Sequence, residues 1–250
     1  MLRKSLVPCV AVAALALLVD VQMANAQGRR GGGMGMRGPQ GVNDIYVASQ
    51  EAAQKEVSIK PDQKEKLHDL SQDVREEVMQ AMQASGLSFQ GLQDLSQEER
   101  QKKMAEMGAK MAEVSKTVNE KFAPKLAEIL DKTQAKRIHE IAIQLAGAQA
   151  LLDAGVQKDL KVTADQKEKL NAIHKDFAKQ IAELPRGAER QTKMHELNEE
   201  QLAKSTEVLT KDQQAEFTSL KGKPFDVKSL QPQRGGRRFR GNAGAGKSNE

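Results

Sequence analysis

One five-residue pattern, an apolar residue with Gln at the fifth position, occurs four times in this chain: Ile59 to Gln63, Leu130 to Gln134, Val162 to Gln166 and Leu209 to Gln213. The first and third copies continue alike, as Asp62-Gln63-Lys64-Glu65-Lys66-Leu67 and Asp165-Gln166-Lys167-Glu168-Lys169-Leu170. A shift of 103 positions superposes them, together with Gln54-Lys55 on Gln157-Lys158 and Leu70 on Ile173. A shift of 79 superposes the second copy on the fourth, so the first unit carries 24 extra residues between its motifs, around Met82 to Lys103. A tandem duplication requires two similar units, and this constrains the architecture before any single element is assigned.

Each copy reads as a helix start. Thr163 with Gln166, and Thr210 with Gln213, form capping boxes, in which the hydroxyl accepts from the amide three residues on and the Gln side chain reaches back. Asp131 takes the cap position before Gln134, a role Asp fills well. Lys60 is a poor cap, but Pro61 stands at the first helical position before Gln63, where its missing N–H costs nothing. These eight residues, Pro61, Gln63, Asp131, Gln134, Thr163, Gln166, Thr210 and Gln213, are read as structural.

Behind each start runs a helical stripe. Leu67, Leu70, Val74, Val78 and Met82 are matched by Leu170, Ile173, Phe177, Ile181 and Leu184, spaced three and four apart. Gly86 to Asp94 breaks the first helix, and Ser96 with Glu99 opens a longer one. Its stripe passes through Met104, Met107, Met111, Val114, Val118, Phe122, Leu126 and Ile129, close to a coiled-coil seam. Pro124 is expected to kink it. Pro185 to Gly187 turns the second hairpin, and Ala146 to Leu152 joins the units. No alternating strand pattern is present. The predicted fold is all-α: two tandem helical hairpins with short flanking helices, at 43–148 and 149–227.

The ends differ in kind. Residues 1–26 read as a secretory signal peptide: a basic start at Arg3 and Lys4, an apolar run from Leu6 to Val19, and Ala24-Asn25-Ala26 as the cleavage site. Cys9, the one cysteine, would leave with it, so the exported chain would hold no disulfide and no thiolate site. Residues 27–42 form a Gly/Arg/Met linker, and 228–250 a Gly/Arg-rich tail; both compositions predict disorder. Between Asn43 and Val227 stand 28 basic and 32 acidic residues, so the basic balance of the whole, +5, resides in the ends. No later segment reaches membrane-spanning length. The sequence therefore predicts a secreted or periplasmic protein.

No constellation of acid, base and nucleophile is visible, and a non-enzymatic protein without cofactor is expected. His68, His139, His174 and His195 lack metal-ligand spacing and sit on charged helical stretches. Met104, Met107 and Met111 could offer thioethers to copper(I), but Val and Phe continue the same stripe and make it a core, so no metal site is assigned. Exposed instead, Met104, Met107, Met111, Phe122 and Phe177 would form an adaptable face for partly folded clients. Arg234, Arg237, Arg238 and Arg240 offer a second surface, for envelope polyanions rather than a specific nucleic acid.

The four motifs, IKPDQ, LDKTQ, VTADQ and LTKDQ, resemble the LTxxQ-motif (Spy/CpxP-like) family of bacterial envelope proteins. The similarity covers Asn43 to Leu220 in two copies, with Lys60 and Asp131 standing where the family has Thr. It is nearest to secreted members with tandem units ending in a G-x-P-F-D run, here Gly222 to Asp226. The resemblance implies helical hairpins and a chaperone-like or envelope-stress role; some members suggest metal sensing. Family hairpins pair into a dimeric cradle. Two units in one chain imply either a monomer with an internal pseudo-dimer or a homodimer.

Overall fold

A computed structural model describes residues 41–86, 91–185, 187 and 189–230. The described residues are helical throughout and contain no strand. Two short helices, α1 (Asp44–Ala48) and α2 (Glu51–Glu56), lead into α3 (Pro61–Ala84). The long α4 (Gln97–Ile129) returns antiparallel to it, and α5 (Lys132–Ala146) closes the first unit. A 3-10 turn, Gly147–Leu152, and α6 (Ala154–Asp159) repeat the opening of the chain. They lead into α7 (Ala164–Glu183), α8 (Arg190–Glu207), α9 (Lys211–Lys221) and a last 3-10 turn, Val227–Leu230. The all-α expectation of two hairpins with short flanking helices holds. The residues assigned to the signal peptide, most of the linker and the tail beyond Leu230 lie outside the described residues.

Apolar burial explains how the pieces join. Leu67 and Leu70 of α3 meet Val114, Val118, Phe122 and Leu126 of α4, over Ile45 and Val47 of α1. Leu170 of α7, Val156 and Leu160 of α6 and Phe217 of α9 build a second cluster. Helix α5 serves both: Ile138 and Ile141 enter the first cluster and Ile143 the second. Ile138, Ile141 and Ile143 of this amphipathic helix are wholly buried. All described residues fall within one unit, Arg37–Glu250. The boundary drawn from the sequence at 148/149 falls within the 3-10 turn Gly147–Leu152.

One detail differs from the sequence reading. Leu230, placed in the tail, is buried against the first cluster, and the Tyr46 hydroxyl donates to its carbonyl at 3.2 Å. One large apolar side chain at the start of a polar segment is enough to hold three more residues on the body. Pro124 lies inside α4, which runs on to Ile129.

The first hairpin is the longer. At 1.5 Å per residue α4 spans about 50 Å and α8 about 27 Å. Lys121 pairs with Glu77 at 2.6 Å, Lys125 with Asp73 at 3.0 Å, and Lys110 donates to the Ser85 carbonyl at 3.1 Å, so α3 and α4 stay in register along this arm.

Candidate functional site: paired glutamines and the helical arm

The four motif glutamines meet in two pairs. Gln63 Nε2 donates to Gln134 Oε1 at 2.8 Å, and Gln134 Nε2 returns a bond to Gln63 Oε1 at 3.1 Å. Each amide spends its second hydrogen on a carbonyl: Gln63 on Ile129 O at 2.8 Å and Gln134 on Val57 O at 3.2 Å. Each oxygen also accepts from its own cap amide, Lys60 N at 3.0 Å and Asp131 N at 3.1 Å. Two donors and two lone pairs per side chain are thereby all used.

The second pair repeats this. Gln166 donates to Gln213 at 2.7 Å and to Val208 O at 3.0 Å; Gln213 answers at 3.1 Å and donates to Leu160 O at 3.0 Å. Thr163 N and Thr210 N complete it, at 3.0 and 2.9 Å. The carbonyl partners obey the same shifts of 103 and 79 as the glutamines. The motif is therefore a clasp as well as a cap: it joins the start of α3 to that of α5, and the start of α7 to that of α9. Thr163, Thr210 and Asp131 accept from the expected backbone amides, and Lys60, with no acceptor on its side chain, leaves half of its box unmade.

The acceptors Val57 O and Leu160 O are aimed by a shared backbone device. Ser58 at φ 50° and Lys161 at φ 53° occupy the left-handed region after α2 and α6. Ile59 N bonds Gln54 O and Val162 N bonds Gln157 O, both at 2.9 Å, a Schellman ending in each repeat. Gln54 and Gln157 further bind Ala48 O and Leu151 O, both at 2.9 Å.

The face expected from Met104, Met107, Met111, Phe122 and Phe177 divides. Phe122, Phe177 and Met107 are buried, at 3%, 1% and 5% exposure. They pack because their helices turn the same stripe toward the partner helix. Met111 is half-buried, and Met104 is exposed at 44%. Met79 on α3, which the stripe reading omitted, is exposed at 57%. Half-buried Val74, Val78 and Met82 lie on the same helix as Met79. The exposed large apolar side chains among the described residues are thus on the arm; Phe122 lies beneath its surface, and Phe177 is buried on α7.

The end of the chain is clamped by α5, which the sequence did not announce. Gln144 Nε2 donates to Lys221 O at 2.6 Å and Lys223 O at 2.8 Å, and its oxygen accepts from Phe225 N at 2.9 Å. Arg137 joins Glu56 at 2.7 Å, Glu140 at 3.1 Å and Lys223 O at 2.8 Å. These contacts seat the Gly222 to Asp226 run on the first unit.

The histidines separate. His139 Nδ1 lies 3.0 and 3.1 Å from the two Asp44 oxygens, and that hydrogen bond holds its pKa above the ordinary value against the pull of burial. His174 accepts from buried Gln201 at 3.2 Å, and burial pushes its pKa down. His195 pairs with Glu199 at 3.4 Å, and His68 lies 3.5 Å from Gln72. Among the described residues no three His, Cys, Asp or Glu stand together as metal ligands. No described helix is long and apolar enough to cross a membrane. Arg234, Arg237, Arg238 and Arg240 lie outside the described residues.

No family model, no curated protein and no solved structure matches this chain.

Proposed function

We propose that the chain is an exported, non-catalytic binding protein that holds partly folded polypeptides on the arm formed by α3 and α4. The observation that carries this reading is the pair of exposed methionines, Met79 and Met104, one on each helix of the arm, within a surface of alternating acidic and basic residues. Methionine adapts its shape to varied partners, and covering a large apolar side chain contributes about 1.5–3 kcal/mol. The paired glutamines keep the two helices of each hairpin seated on their unit, so the arm is presented without being ordered anew for each client. The LTxxQ resemblance and the signal-peptide pattern support the same reading, with the bacterial envelope as its location.

The test is suppression of aggregation of an unrelated unfolding protein by the chain from Gln27 to Glu250. Activity should survive removal of residues 231–250 and fall several-fold in the Met79→Glu, Met104→Glu double variant, with helical content unchanged. Full activity in that variant, or no suppression by the unaltered chain at molar excess, refutes the reading.

A further inference from the structure

The first repeat carries a groove where the second carries larger side chains. It encloses about 280 Å³ between α1, α4 and α5, reaching the start of α6. Ile45, Leu126, Leu130 and Ile138 give it an apolar floor, and Ala123, Ala127 and Ala135 give it low walls. The shift of 79 places Leu202, Thr206 and Gln214 at the positions of those three alanines. Leu202 packs on the second core, and Gln214 Nε2 donates to Thr206 O at 3.1 Å and Leu209 O at 3.0 Å. Ala135 supplies no such donor to the end of α4. At these three positions the second repeat carries the larger side chain.

The rim carries two carboxylates and one imidazole: Asp44, His139 and Asp153 stand on it with Asn119, and among the described residues no Lys or Arg lines the groove. His139 and Asp44 hydrogen-bond each other and together leave no excess positive charge. Asp153 adds a carboxylate, one oxygen of which accepts from Gly155 N and Val156 N. An apolar floor beneath a negative rim complements an apolar body that ends in a positive charge.

We propose that this groove is a binding site for a small amphipathic cation, a free molecule carrying one ammonium or guanidinium group. Its body lies between Ala123, Ala127 and Ala135, and its charge sits at Asp153. The site uses none of the residues on which the client-binding reading depends.

Hexylammonium is the probe, titrated into the full mature chain by calorimetry beside hexanol and hexanoate. Hexylammonium should bind saturably, hexanol about fivefold more weakly, as befits loss of one partly exposed charge pair, and hexanoate more weakly still. Ala123→Leu, which installs the second repeat's side chain, should weaken hexylammonium about tenfold, with Ala127→Leu as an independent block. Asp153→Asn keeps the helix cap and should erase the preference for hexylammonium over hexanol. The proposal is overturned by no saturable binding, by equal affinity for hexanol and hexylammonium, or by unchanged affinity in both alanine variants.

Discussion

Replacing Gln134 by Ala removes four hydrogen bonds together. Its amide nitrogen loses Val57 O and Gln63 Oε1, and its oxygen no longer receives Gln63 Nε2 or Asp131 N. Asp131 is exposed, so its amide regains water and is discounted. Three bonds remain, each worth about 0.5–1.5 kcal/mol net, and the abandoned Gln63 amide adds a desolvation cost. The expected loss is about 2–4 kcal/mol. In a urea melt followed by helical circular dichroism, with a slope of about 2–3 kcal/mol/M, the midpoint falls by about 1 M. Gln63→Ala should cost a similar amount. The double variant should cost less than the sum by about 1–3 kcal/mol, because two of the bonds are shared. A cycle between Gln63 and Gln166, which belong to different clasps, should be additive. If Gln63→Ala and Gln134→Ala add within about 0.3 kcal/mol, the pairing does not stabilise the fold and the clasp is refuted.

Ser58→Gly and Lys161→Gly should each stabilise the protein by about 0.5–1 kcal/mol in the same melt, since both positions are left-handed and carry a side chain there. Gly222→Ala should destabilise by about 1–3 kcal/mol: φ is 60°, and an added Cβ would overlap the Glu140 carboxylate. Limited proteolysis should then cut the segment after Lys221 sooner than in the parent. Imidazole titration by NMR should place His139 above about 6.5 and His174 below it, and Asp44→Asn should bring His139 down. The signs oppose. The contribution of His139 is fully present below its unfolded value and fades as pH rises through its folded one. That of His174 is present above its unfolded value and lost as pH falls, because the unfolded chain takes up the proton first. A reversed order of the two titrations refutes both assignments.

The helices and their starts were legible because capping and stripe spacing are local. Thr163 and Gln166 interact three residues apart, and Leu67, Leu70 and Val74 need only one helix to define a face. The pairing of Gln63 with Gln134 spans 71 residues, and no local rule contains it. A signal was nevertheless present, since four glutamines at two fixed shifts ask for a shared role beyond four separate caps. Whether Phe122 and Phe177 belong to core or surface was not legible, for a related reason. A stripe shows that a face is apolar, but not whether a second helix of the same hairpin already covers it. Gln144 and Arg137 gave no signal, because their partners are carbonyls and carboxylates of a segment some 80 residues away.

Comparison of the repeats separates what the fold demands from what it leaves free. Phe122 in the first repeat corresponds to Gln201 in the second, while Val74 corresponds to Phe177. The ring has moved from one helix of the hairpin to the other, and the large volume is kept within the pair. Lys125 and Lys204, equivalent under the shift of 79, lie 4.9 Å from the Phe122 ring centroid and 5.2 Å from that of Phe177. Buried Gln201 is answered by His174, which stands where the first repeat has Ser71. Compensation of this kind marks positions held by packing, and the clasps mark positions held by hydrogen bonding. The 24 residues that lengthen the first hairpin are held locally instead: Leu92 is buried, and Arg100 donates to Leu92 O at 2.9 Å and to Leu95 O at 3.0 Å.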